Sequence, residues 1–207
     1  GGSGDMSYVR RAGEAQSWLV SGRLTPGKTT GEWLDRRLLD IPAERIQAIS
    51  ITQPGIPTLR LAKSARGEAE FSVADIPAGR ELSYPGVGNS LGGLLSGLQL
   101  DDVHGREVLG ADPGKPVVAR FACFDGLVIE ASAWRTRDGT RLSFLASADE
   151  VQAQRHPAPD GPDFATVRAE AEAINARLAG WIYTLPGHKT EQFTRRLQDL
   201  LAPAGAP

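Results

Sequence analysis

The sequence predicts an α+β fold in which antiparallel hairpins and meanders pack with amphipathic helices. Asp-Gly pairs at 125–126 and 138–139 sit between apolar, β-rich runs, a strong short-range hairpin signal. Leu59 and Leu61 alternate with Arg60 at the period of a half-buried strand. Phe164, Val167, Ala171, Ile174 and Leu178 recur at steps of three and four, one face of a long helix. Loops this short cannot make the crossovers of a parallel sheet, so doubly wound α/β folds are disfavoured, and many nucleotide enzymes with them.

In chain order, Tyr8 to Arg11 and Gln16 to Val20 read as a hairpin around an Ala-Gly-Glu-Ala turn. Thr29 and Glu32 have capping-box spacing and open a short helix through Trp33, Leu34 and Leu38. Strands follow at Arg45 to Thr52 and Thr58 to Ala62, joined by Gln53-Pro54-Gly55, and a third at Glu70 to Val73. Leu91, Leu94, Leu95 and Leu98 have helical spacing behind a cap at Asn89 or Ser90. A three-strand meander spans 117–146, a Pro-rich loop 157–162, and the long helix stops at Gly180. Trp181 to Tyr183 is extended, and Phe193, Leu197, Leu200 and Leu201 mark a final helix.

These elements order the chain as residues 1–6, a linker; 7–112, a first α+β lobe; 113–203, a second, similar lobe; and 204–207, a tail. The opening Gly1-Gly2-Ser3-Gly4 resembles an engineered linker, so the chain is expected to be an excised piece of something longer. At 207 residues and 41% hydrophobic content, a sizeable core is expected. The net charge of -2 offers no field to attract nucleic acid. No run approaches the length of a membrane span, so attachment to a membrane is expected only through an anchor outside this sequence.

Candidate sites are weak. Gly88-Asn89-Ser90-Leu91-Gly92 fits G-x-S-x-G, but Glu81 to Gly86 lacks the buried strand that a nucleophilic serine needs before it. Ser90 is therefore expected to be a helix cap, with a serine hydrolase as a remote alternative. Gly86-x-Gly88 lacks the Lys of a phosphate loop. The acids at Asp101-Asp102 and at Glu170 and Glu172 are expected to be solvated or capping rather than converging on a cleft. Trp18, Trp33, Trp134 and Trp181 suit core packing or a sugar-stacking platform. His188-Lys189 reads as an ordinary turn into the last helix. Cys123, the sole cysteine, is expected to be a buried hydrophobe, and His104, His156 and His188 lack metal-ligand spacing. No catalytic, cofactor or metal residue is therefore nominated, and an enzyme is not expected.

Ser17-Trp18-Leu19-Val20, Glu32-Trp33-Leu34-Asp35-Arg36-Arg37-Leu38-Leu39-Asp40-Ile41 and Gly180-Trp181-Ile182-Tyr183-Thr184-Leu185-Pro186-Gly187-His188-Lys189 are similar, in their order along the chain, to the domain-of-unknown-function 4340 family. Phe124-Asp125-Gly126-Leu127 fits as well, and the similarity extends over most of 8–202, corresponding to the C-terminal part of a member. The resemblance implies an accessory protein of gliding-motility-type ABC transporters, extracytoplasmic (periplasmic) and tethered to the inner membrane. It brings no catalytic residues. The expected role is a scaffold with a protein partner, with a glycan-binding module as the alternative.

Overall fold

The computed structural model describes residues 5–22, 27, 34–159 and 161–203, and its chain divides into two compact units, 1–34 and 35–207. In the first unit, strands β1 (Met6–Val9) and β2 (Trp18–Ser21) form the expected hairpin, with Tyr8 opposite Leu19 and Val9 opposite Trp18. The expected capping box at Thr29 and Glu32 lies outside the described residues.

The second unit is built on one antiparallel sheet of eight strands. Its members are β4 (Ile46–Gln53), β5 (Ile56–Ala62), β6 (Ser72–Val73), β8 (Asp102–His104), β9 (Val117–Cys123), β10 (Leu127–Thr136), β11 (Gly139–Ala148) and β12 (Ile182–Thr184). Their spatial order is β6-β5-β4-β9-β10-β11-β12-β8. A minor sheet joins β3 (Arg37–Leu39) to β7 (Leu98–Gln99). The division into lobes at 7–112 and 113–203 is corrected by the pairing of β4 with β9. Apolar β4 has β5 on one side and β9 on the other, so the two halves share one sheet and one core.

Ile49, Ile51, Leu61, Phe121, Ile129 and Phe144 bury themselves on one face of this sheet. Helix α3 (Phe164–Leu178) covers β10 and β11 with Val167, Ala171, Ile174 and Leu178, as its spacing predicts. Its N-cap is Asp163, whose carboxylate accepts from the Thr166 N–H at 2.7 Å. A hydrogen bond with the Thr166 side chain, and then that backbone bond, hold the Asp163 pKa below its usual value. Helix α4 (Gly187–Phe193) inserts Phe193 between Phe121 and Phe144, with edge-to-face ring centroids 6.0 and 5.9 Å apart.

Three helix expectations are shortened. Leu38 lies in strand β3, not in a helix. Helix α1 is one turn, Asn89–Gly92, with Gly88 rather than Asn89 or Ser90 at its N-cap; Gly93 and Gly97 then turn the chain. Leu91, Leu94, Leu95 and Leu98 are nonetheless fully buried, so their spacing marked a face and not a helix. The last helix is two pieces, α4 and a 3-10 turn at Leu197–Leu200. Helix α2 (Glu150–Arg155) lacks buried residues and carried no apolar periodicity to announce it.

Asn175 closes a gap in the sheet. Strand β12 pairs with β11 only at Leu142, which leaves Ala146 without a strand partner on that side. The Asn175 side chain, projecting from α3, takes the place of that backbone. Its Oδ1 accepts from the Ala146 N–H at 2.7 Å and its Nδ2 donates to the Ala146 C=O at 2.8 Å. A buried strand edge is satisfied without another strand.

Candidate functional site

Residues singled out by sequence do not converge. Ser90 is exposed on α1, and its hydroxyl donates to the Val87 C=O at 3.2 Å. Neither a histidine nor an acid hydrogen-bonds to it among the described residues. The surrounding glycines have a packing reason. A Cβ at Gly92 would meet the Phe71 ring, and one at Gly88 would meet Leu61. Asn89 accepts from the Phe71 N–H at 3.1 Å, tying the turn to the residue it packs on.

Asp101 pairs with Arg36 at 2.9 Å, while Asp102 lies on edge strand β8 beside His104. His156 stands edge-on to the Phe124 ring, 5.1 Å between centroids. Burial, helped by the charge of Arg66, lowers its pKa. His188 begins α4. Trp134 is buried against Leu109 and Ile182, whereas Trp181 and the hairpin's Trp18 are about half and one-third exposed. Trp33 lies outside the described residues. Among the described residues, no tryptophan lines the hollows of about 420, 250 and 380 Å³ on the surface.

Glu170 departs from the expectation of a solvated acid. The Arg45 fork donates to both its oxygens, at 2.8 and 2.5 Å, and the Arg45 Nε donates to Asp125 at 2.6 Å. The Asp125 side chain is 7% exposed and also accepts from the Leu127 N–H. The Glu170 hydrogen bonds are the main cause of the raised Arg45 pKa, against an opposing effect of burial. This triad ties the start of β4, the β9–β10 turn and α3 together. Its parts lie far apart in sequence, and no local pattern announces them.

Cys123 is fully buried, and desolvation pushes its thiol up to about 12 from an ordinary 9.0. The native chain is therefore expected to resist a thiol-reactive dye at pH 8 and to react once unfolded in urea. Labelling of the native chain at the rate of a free thiol contradicts this. The sign with pH follows from the raised value. The folded state keeps the proton longer than the unfolded state, so this group's contribution to stability falls as pH rises from about 9 toward 12. Cys123→Ala is expected to flatten that part of the stability profile.

What remains is the sheet's second face. The register lines up Arg60, Ser50, Arg120, Glu130 and Leu145 as one row across β5, β4, β9, β10 and β11. A parallel row runs through Thr52, Val118, Ser132 and Ser143. All nine residues are exposed or half-buried, with Leu145 at 53%. Toward its two ends this face is buried, at Trp134, which packs with Leu109, and at Ala122 and Val128. Its middle is open. The arginines there are partnered, Arg60 with Asp75 at 3.2 Å and Arg120 with Asp149 at 3.6 Å. Between them lies a hollow of about 420 Å³, lined by small residues including Ala48, Ser50, Ala62 and Ser72. The side chains around the hollow are mostly small, and both of its arginines are ion-paired. Among the described residues, no three or more His, Cys, Asp or Glu are grouped to hold a metal. No described helix is long and apolar enough to cross a membrane.

No curated protein and no solved structure matches the chain. The family described as "Domain of unknown function (DUF4340)" matches residues 1–106. That span holds the hairpin, β3 to β8 and the Trp18 and Trp33 segments, while the similar stretches at 124–127 and 180–189 fall beyond it. On this match over half of its length, the chain belongs to the DUF4340 family.

Proposed function

We propose that this chain is a non-enzymatic interaction domain that docks a protein partner on the open face of its sheet. The observation that carries the reading is the uncovered stretch of that face, where Leu145 stands 53% exposed at the end of a row with Glu130, Ser50 and the ion-paired Arg120 and Arg60. An uncovered sheet face that combines an exposed apolar side chain with small polar and charged ones suits contact with a protein. The family resemblance supports the finer reading. In it, the domain is the C-terminal part of an extracytoplasmic protein tethered to the inner membrane, and the partner is an ABC transporter or another envelope component.

Leu145→Arg tests the reading in the full-length protein, purified from its own membranes with mild detergent. The wild type is expected to bring down transporter subunits, and the variant to recover about tenfold less, as loss of a buried apolar contact implies. Melting temperature serves as the folding control, because an exposed position tolerates arginine. Equal recovery with both proteins overturns the proposal.

A further inference from the structure

A second surface feature lies at the rim of the core face and is independent of the docking face. Lys115, Arg135 and Arg196, from three separate segments, line a hollow of about 250 Å³ with the side chains of Thr140 and Thr194. None of the three cations forms an ion pair among the described residues, and no carboxylate lines this hollow. Arg45, Arg60 and Arg120, by contrast, each have an acidic partner.

The placement of Arg196 is built from within. Gln53 is 8% exposed, and its amide donates to the Thr194 C=O at 2.7 Å and the Arg195 C=O at 3.3 Å. Its Oε1 accepts from the Arg196 Nε at 3.4 Å. A buried amide thus holds the segment and orients one guanidinium, leaving that group's terminal nitrogens free of protein partners among the described residues. The Asp199 carboxylate, the nearest acid in sequence, is engaged by the Arg196 backbone N–H at 2.8 Å.

Ile56 and Arg196 also belong to a second hollow of about 380 Å³. Its wall is apolar, with Pro57, Pro77, Leu197 and Leu201, and its one acid, Asp75, is paired with Arg60. A cationic hollow and an apolar hollow therefore share one wall. We propose that the pair binds an anionic amphiphile, with a phosphate head between Lys115, Arg135 and Arg196 and a single apolar chain along Leu197 and Leu201. Two guanidinium groups, an ammonium and nearby hydroxyls suit the several oxygens of a phosphate better than the two of a carboxylate.

The test titrates the whole chain with a single-chain lysophosphatidate below its micelle concentration. Parallel titrations use the matching lysophosphatidylcholine and inorganic phosphate. Saturable binding of the lysophosphatidate is expected, about tenfold weaker in Arg135→Gln and again in Arg196→Gln, as loss of a charge-assisted hydrogen bond implies. Leu197→Asp is expected to weaken the lysophosphatidate and leave the weak binding of inorganic phosphate unchanged. Thermal melting of each variant confirms folding. The proposal is overturned by no saturable binding, by equal binding of the choline lipid, or by charge variants that bind as the wild type does. Inorganic phosphate binding as tightly as the lipid overturns it too, because the apolar hollow would then contribute nothing.

Discussion

Arg45→Met is expected to lower the free energy of unfolding by about 3 kcal/mol, the usual scale for removing one partner of a buried ion pair. The methionine keeps much of the side-chain volume and removes five donors. Asp125, 7% exposed, then loses its cation while remaining in the β9–β10 turn, and Glu170 loses both of its hydrogen bonds. Three elements separate at once, which is why the arginine matters more than either acid. Glu170→Gln is the graded control. Its position is 36% exposed, so solvent screens the loss, and a cost of about 1 kcal/mol is expected. Urea denaturation of both variants checks the order. A loss below about 1 kcal/mol for Arg45→Met would place the triad among surface pairs, where such small values are usual.

Gly126→Ala is expected to cost about 3 kcal/mol, and Gly139→Ala only about 1 to 2 kcal/mol, from the price of a left-handed backbone at a non-glycine residue. Both glycines have positive φ, +93° and +109°. They differ in surroundings. A Cβ at Gly126 would run into the Asp149 carbonyl and come within 3.0 Å of the Ala153 Cβ. At Gly139 the nearest such atom is the Arg141 Nη1, 3.8 Å away at the end of a long side chain. The Gly126 carbonyl also accepts from the Asp149 N–H at 2.8 Å, so any shift to relieve the overlap disturbs the start of α2. Equal losses in thermal or urea unfolding would mean that backbone conformation alone sets the cost at both sites.

These two turns also show how much of the fold was legible. The Asp-Gly pairs correctly announced hairpins at 123–127 and 136–139, because the signal is local. Asp-Gly pairs favour type I′ turns, with positive φ at both central residues, and neither turn has that geometry. Asp75 is the one non-glycine residue with positive φ among those described, so Asp125 and Asp138 keep ordinary conformations and only the glycines are left-handed. Helix α3 was legible through its period. The leucines at 91–98 were legible as a buried set but not as a shape, since Gly92, Gly93 and Gly97 end the helix that their spacing suggests.

Features set by distant pairing were not legible. Ser50 opposite Arg120 makes one sheet of the two expected lobes, and neither residue carries a mark of that partnership. Arg45, Asp125 and Glu170 looked like three unrelated polar residues. The open face was hidden for the same reason: Arg60, Ser50, Arg120, Glu130 and Leu145 become a row only when the strand order is known. Ser90 stood out in sequence because its motif is compact, and the structure explains the motif's glycines by their contact with Leu61 and Phe71.

The docking face is tested most directly by photocrosslinking in living cells. A photoreactive side chain replaces Leu145 on the open face or, as the control, the exposed Glu172 on α3. Irradiation is expected to join position 145, and not 172, to an envelope protein identified as a transporter component, with the product lost in a Ser132→Arg background. No adduct from 145, or the same adducts from both positions, would contradict the assignment of the open sheet face as the interaction surface.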